Sequence, residues 1–178
     1  MFKVVAIKPP LRAYTTGRRE GLFIRRYTEL FLYSLLLLSL LAHKLYHVLN
    51  LSVFVLLLPL AFLPAERFGL KSPWNLSLLA LPFMYLLRPQ DFLSLALQSF
   101  AEELFFRAYL MQRYSNLFVS FLFTLPHVLL YGNLWAYLTF FPSLLFGYAY
   151  ERTRSLAFVS LLHLSSNILW YEYNFFSG

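Results

Sequence analysis

Between residues 28 and 173 the chain is a succession of long apolar stretches, separated by short segments that carry charge, proline or glycine. A run of ~20 apolar residues is the length that a helix needs to cross a bilayer. The stretches lie approximately at 28–47, 51–65, 74–88, 91–113, 116–131, 134–151 and 155–173. They predict an all-α, polytopic transmembrane helical bundle of about seven spans, with six to eight as the range because the second and third stretches are short.

The composition agrees with a lipid environment. Apolar residues make up 60% of the 178 residues and charged residues 13%, whereas a soluble domain is about 25% charged. The chain has no cysteine, which excludes disulfides, thiolate catalysis and thiolate metal ligands.

A basic arm, residues 1–27, precedes the first stretch and holds seven of the 15 Lys and Arg residues. Basic clusters beside a first membrane helix bind anionic lipid on the cytoplasmic side, so we expect the bilayer, and no nucleic acid, as the partner of this arm. Residues 17–27 alternate basic and apolar side chains, which could form a short interfacial helix. The arm lacks a signal-peptide cleavage site, so we expect it to be retained.

The remainder, residues 28–178, is predicted to be one transmembrane domain whose catalytic core spans residues 91–173. With seven spans and a cytoplasmic N-terminus, twelve basic residues fall on the inner side and only Lys44 and Arg88 on the outer side. This asymmetry is what the positive-inside rule predicts for an integral membrane protein with that topology.

The fourth stretch contains two carboxylates and a guanidinium, Glu102, Glu103 and Arg107. Charged side chains near the middle of a membrane helix cost about 2.5–3.5 kcal/mol each on insertion scales. Glu103 and Arg107 are four residues apart, which predicts a supporting ion pair along one helix face. Glu102 points about 100° away around the helix and is therefore the candidate for chemistry.

Two further stretches place polar groups at the depth of Glu102. His127 follows Pro126 in the fifth stretch, and both Glu102 and His127 lie ~18 Å from the turn near Ser115. His163 and Asn167 are four residues apart in the seventh stretch and share one face. We interpret the remaining histidines, His43 and His47, as interfacial polar residues.

A carboxylate, two imidazoles and an amide in one layer suit water attack on a peptide carbonyl. Glu102 would take a proton from water with help from His127, and His163 and Asn167 would donate hydrogen bonds to the oxyanion. This mechanism needs no cofactor. The alternative is a zinc peptidase with Glu102, His127 and His163 as ligands.

Three motifs resemble those of the CPBP (CAAX protease and bacteriocin-processing, or Abi) family of intramembrane proteases, and in particular the core of the type II CAAX prenyl endopeptidases. They are Glu-Glu-x-x-x-Arg at 102–107, Phe-x-x-x-His at 123–127 and His-x-x-x-Asn at 163–167. The resemblance implies a water-activating Glu102 assisted by His127, and an oxyanion hole formed by His163 and Asn167. It also implies a membrane-anchored protein or peptide as substrate, and the compact size resembles prokaryotic members.

Two other classes of function remain open at this level. One is a non-catalytic membrane scaffold or immunity factor that has the same fold. The other is a proton-coupled carrier that uses Glu102 and His127 as a relay, although the chain has neither an internal repeat nor the paired broken helices of transporters.

Overall fold

The computed structural model describes residues 19–61 and 89–176, and every regular element in these residues is helical. Seven α-helices are present in the described part: α1 (Arg19–Tyr46), α2 (Ser52–Leu57), α3 (Pro89–Glu103), α4 (Asn116–Tyr131), α5 (Leu134–Leu138), α6 (Phe140–Thr153) and α7 (Leu156–Phe176). A 3₁₀ turn, Leu58–Ala61, extends α2. A π-helical segment, Leu104–Tyr109, and a 3₁₀ turn, Leu110–Gln112, extend α3.

The helices correspond to most of the predicted spans. Helix α4 coincides with the fifth span, and α3 with its extensions occupies the fourth. The third predicted span, 74–88, and the arm before Arg19 lie outside the described residues. Residues 19–27 are helical and form the beginning of α1, because the helical backbone runs without a break to Tyr46. Their predicted position at the membrane interface stays a prediction.

The sixth predicted span, 134–151, is divided into α5 and α6 at Thr139. The Asn133 side chain caps the start of α5 by accepting a hydrogen bond from the backbone N–H of Ala136. Pro142 has no N–H to donate to the Leu138 carbonyl, so the helical ladder is interrupted there and a new helix begins.

Two groups of helices pack around two apolar cores. Helices α1, α2, α3 and α4 surround the first core, which contains Leu36, Val55, Phe105 and Phe123. Helices α3, α6 and α7 enclose the second, around Leu104, Tyr150, Leu156 and Val159. Because α3 and its π-helical extension contribute to both cores, α3 is the central helix of the described structure.

Contacts at the helix ends show which ends lie together. The Arg113 guanidinium, in the turn after α3, lies 3.5 Å from the Glu29 carboxylate near the start of α1. The Lys44 ammonium, near the end of α1, donates to the Leu129 carbonyl near the end of α4. This arrangement agrees with a topology in which Arg113 and the basic arm share one side of the membrane and Lys44 lies on the other.

Large apolar side chains cover much of the outer surface; Phe31, Phe121 and Phe141 are 65%, 59% and 65% exposed. A soluble protein rarely exposes such extensive apolar surface. Among the described helices, Tyr27–Tyr46 alone is long and apolar enough to cross a bilayer by itself, while Ser52–Ala61, Asn116–Tyr131 and Leu156–Trp170 are apolar but shorter. The count of seven spans stays a prediction.

Helix α4 approaches α6 closely at Gly147. A β-carbon at this position would lie 1.7 Å from the Asn116 side-chain oxygen, and Asn116 is held in place because its amide donates to the Leu144 carbonyl at 2.9 Å. We expect Gly147→Ala to destabilise the protein by about 1–3 kcal/mol, the usual cost of overpacking.

Thermal unfolding in detergent measures this effect. Leu145→Ala, on the exposed side of the same helix, is the matched control and should change the midpoint little. A Gly147→Ala protein as stable as the parent would contradict the close approach of α4 and α6.

Candidate active site

The predicted ion pair between Glu103 and Arg107 is present and wholly buried. The Arg107 Nε atom lies 3.0 Å from Glu103 Oε2, and neither side chain is exposed. Arg107 Nη2 donates to the Ser143 hydroxyl at 2.7 Å, which ties α3 to α6. The guanidinium carbon lies 5.5 Å from the centre of the Phe123 ring, a cation–π distance that connects Arg107 to α4 as well.

The helix changes from α to π immediately after Glu103. All residues of the π-helical segment, Leu104–Tyr109, are buried. Short π-helical turns are rare and occur frequently at functional sites. In this protein the change of helix type lies directly after the two carboxylates, Glu102 and Glu103.

His163 on α7 lies between the two carboxylates of α3. Its Nδ1 atom is 2.9 Å from Glu103 Oε1, and because a carboxylate accepts, Nδ1 carries the hydrogen. Its Nε2 atom faces Glu102 Oε2 at 3.7 Å, which is longer than a hydrogen bond. Glu103 therefore fixes the orientation of the ring, and the second ring nitrogen is directed towards Glu102.

Glu102 has one carboxylate oxygen engaged and one available. Gln98, one turn earlier on α3, donates from Nε2 to Glu102 Oε1 at 2.9 Å. The other oxygen, Oε2, is the one that faces His163. The Glu102 side chain is 9% exposed, so it is shielded but not completely enclosed.

Asn167 lies one helical turn beyond His163 and contacts the turn of α3 that precedes the carboxylates. Its amide donates to the Ser99 hydroxyl at 3.1 Å, and Ser99 is fully buried. The pairs His163–Glu103 and Asn167–Ser99 run in opposite directions along α7 and α3, as antiparallel helices require. One hydrogen of the Asn167 amide is thereby oriented, and the other is left for a further acceptor.

The Phe123 ring lies between His127 and His163 and contacts both. Its Nδ1 atom donates to the Phe123 carbonyl at 2.9 Å, so Nε2 is the nitrogen with a free lone pair when the ring is neutral. The His127 ring stacks on Phe123 with centroids 4.7 Å apart, and the Phe123 ring contacts His163 edge-on at 5.7 Å. No hydrogen bond joins His127 to Glu102 among the residues that the structure describes.

The arrangement does not fit a three-ligand metal centre. Catalytic zinc needs three protein ligands around one point. In the described ranges, no group of three His, Asp or Glu side chains converges in this way, and this includes the set Glu102, His127 and His163. His43, on α1, bonds the Val48 carbonyl through Nδ1.

Several site residues were not predicted from the sequence. Gln98 is four residues before Glu102, a spacing that could have indicated its contact. Ser99 could have been found by pairing α3 with α7 in antiparallel register, whereas nothing in the sequence indicates that Ser143 meets Arg107. Ser165, which lies beside the motif on α7, bonds its own helix at the Leu161 carbonyl.

The ion pair yields a stability prediction. Arg107→Met leaves Glu103 as a buried carboxylate without its cation, and breaking a buried pair in this way costs about 3–5 kcal/mol. The double variant Glu103→Gln/Arg107→Met removes both charges and should lose less stability than the sum of the single variants. Unfolding titrations in detergent measure all three, and strictly additive losses would contradict the coupling.

A comparison with protein families identifies one whose model matches this chain. The model of the Rce1-like family, described as type II CAAX prenyl endopeptidase Rce1-like, matches residues 79–169, which is just over half of the chain. Comparisons with curated proteins and with solved structures give no significant match. The matched region contains all three motifs and the helices α3 to α6, together with most of α7. The chain therefore belongs to the Rce1-like family, a family of integral membrane proteases.

Proposed function

We propose that this protein is an intramembrane endopeptidase that hydrolyses a peptide bond in or near the membrane anchor or C-terminus of a membrane-associated protein. The observation that carries the proposal is the His163 ring held between Glu103 and Glu102 in a buried polar layer. Such a layer is costly in a membrane protein and is a functional candidate by default. Membership of a protease family supports the same reaction class.

In the proposed reaction, water binds between Glu102 and the scissile carbonyl. Glu102 Oε2 accepts a proton from the water while the water oxygen attacks the carbonyl carbon. The bond that Gln98 makes to Oε1 leaves Oε2 as the available base. His127 Nε2 is free to accept the second hydrogen of the water, because Nδ1 is the nitrogen bonded to the Phe123 carbonyl.

The oxyanion would be stabilised from the other side by α7. A doubly protonated His163 ring donates from Nδ1 to Glu103 and from Nε2 to the oxyanion. Asn167 donates its second amide hydrogen. When the intermediate collapses, the C–N bond breaks and the protonated Glu102 returns its proton to the leaving amine.

The proposed mechanism uses no metal, and the described residues do not form a three-ligand site.

The protein is proposed to lie in a prokaryotic cell membrane, with its basic arm, residues 1–27, on the cytoplasmic side and residues 28–178 forming the transmembrane domain. The family description is that of a CAAX prenyl endopeptidase; we propose the wider class of membrane-anchored C-termini, with or without a prenyl group.

Cleavage by the purified protein in nanodiscs tests the proposal. The substrates are membrane-anchored peptides with and without a prenyl group. Glu102→Gln should lower turnover by about 10²–10⁴-fold because it removes the general base. His163→Ala should lower it by about 10²–10³-fold because it removes an oxyanion donor.

A parallel assay with a metal chelator tests the zinc alternative. If the mechanism is metal-free, the chelator should leave cleavage unchanged. Loss of activity with chelator that zinc restores would contradict the metal-free mechanism. A folded protein that cleaves no substrate would favour a non-catalytic scaffold.

Ser99 provides a test of the oxyanion donors. Ser99→Ala removes the acceptor that orients the Asn167 amide, and we expect kcat to fall about tenfold with little change in KM. The matched control is Ser165→Ala, since the Ser165 hydroxyl bonds only its own helix among the contacts described above. Equal activity of the two serine variants would argue against a role for the Asn167 amide.

A further inference from the structure

Pro126, next to His127, leaves a gap in the backbone hydrogen bonding of α4. In an α-helix each N–H bonds the carbonyl four residues earlier, and proline has no N–H. The Leu122 carbonyl therefore lacks its intrahelical donor. In the hydrocarbon region an unsatisfied backbone group is unfavourable, because no water replaces the missing donor.

A side chain of α1 supplies the missing donor. The Tyr33 hydroxyl donates to the Leu122 carbonyl at 2.8 Å, and Tyr33 is only 6% exposed. The contact joins residues 89 positions apart in the sequence. It satisfies the one backbone carbonyl that Pro126 deprives of a partner.

The same face of α1 makes a second contact of this kind. Lys44 Nζ donates to the Leu129 carbonyl at 2.6 Å, in the last turn of α4, where carbonyls lack intrahelical donors. Leu36 and Leu40, between Tyr33 and Lys44, are buried in the core that α1 shares with α4. Helix α1 thus donates to α4 five residues before His127 and two residues after it.

The orientation of His127 depends on this turn of α4. The His127 ring is held by the Phe123 carbonyl and by stacking on the Phe123 ring. The peptide unit that contains the Leu122 carbonyl is bonded directly to the Phe123 α-carbon. Release of the Leu122 carbonyl would let this peptide unit tilt, and the Phe123 carbonyl and ring would move with it.

We propose that Tyr33 is a positioning residue for His127, acting through the Leu122 carbonyl that Pro126 leaves without a donor. The inference rests on the proposed role of His127 in catalysis. It extends the site beyond the region that matches the family model, because α1 precedes residue 79. Tyr33 itself touches neither Glu102 nor His163 in the described contacts, so it acts on the reaction through α4 alone.

Tyr33→Phe removes only the hydroxyl and tests the proposal. We expect kcat in nanodiscs to fall about tenfold, because His127 is no longer held in position and the activation barrier rises. KM should change less than twofold. Tyr46→Phe is the matched control, since Tyr46 is 76% exposed on the same helix, and it should retain the activity of the parent.

A double variant distinguishes positioning from a general loss of packing. Pro126→Ala restores a backbone N–H that can bond the Leu122 carbonyl from within α4. In the Pro126→Ala background, Tyr33→Phe should therefore change kcat less than twofold. This background also keeps the test valid if Tyr33→Phe alone lowers the folded fraction.

Nuclear magnetic resonance of ¹⁵N-histidine-labelled protein gives a readout that does not depend on activity. The His127 signals, assigned with His127→Gln, should shift in Tyr33→Phe and stay unchanged in Tyr46→Phe. An unshifted His127 signal in Tyr33→Phe would overturn the inference, and so would a Tyr33→Phe loss of activity that persists fully in the Pro126→Ala background. An inactive parent would instead overturn the proposed function while leaving the spectroscopic test of Tyr33 intact.

Discussion

The Glu103 carboxylate and the Arg107 guanidinium lie in the interior of a membrane protein with no exposure to solvent, and the rest of the site is arranged around this pair. Neither charge can be buried alone, because an uncompensated ion in a low-dielectric interior costs several kcal/mol. Arg107 uses its remaining contacts to reach Ser143 on α6 and the Phe123 ring on α4. Glu103 uses its second oxygen to hold His163 on α7. One pair of charges on α3 therefore contacts each of the three helices that complete the site.

In the proposed mechanism, this arrangement separates support from chemistry among neighbouring residues. Glu103 has both oxygens engaged by Arg107 and His163, so each oxygen already has a fixed partner. Glu102 has one oxygen bonded to Gln98 and the other facing His163 across a gap longer than a hydrogen bond. The same division holds on α4, where Phe123 holds the His127 ring by its carbonyl and leaves Nε2 free.

Much of this geometry follows from spacing along single helices. The four-residue spacing of Glu103 and Arg107 predicted their ion pair, and counting from the turns predicted a common layer for the polar residues of α3, α4 and α7. The apolar stretches predicted an all-helical chain, and the family match agrees with the motifs that carry the resemblance. These inferences are local, because a helix converts sequence spacing directly into position on a face.

Contacts between helices were harder to predict. The hydroxyls of Ser99 and Ser143 acquire partners only when helices pack in one particular register, and a serine in an apolar stretch more often bonds its own helix, as Ser165 does. The π-helical segment after Glu103 has no sequence signature in this chain. Tyr33 reaches a carbonyl 89 residues away, and no local pattern in the sequence identifies Tyr33 as the donor. The division between α5 and α6 was predictable from Pro142 but was missed, because the apolar run continues across it.

The central claim is that Glu103 fixes the His163 ring by accepting a hydrogen bond from Nδ1, so that Nε2 faces Glu102. Long-range ¹H–¹⁵N correlation spectra of ¹⁵N-histidine-labelled protein, with His163→Gln for assignment, measure directly which ring nitrogen carries hydrogen. We expect a hydrogen on His163 Nδ1 at neutral pH. A His163 ring whose Nδ1 carries no hydrogen, with the hydrogen on Nε2 alone, would contradict this orientation.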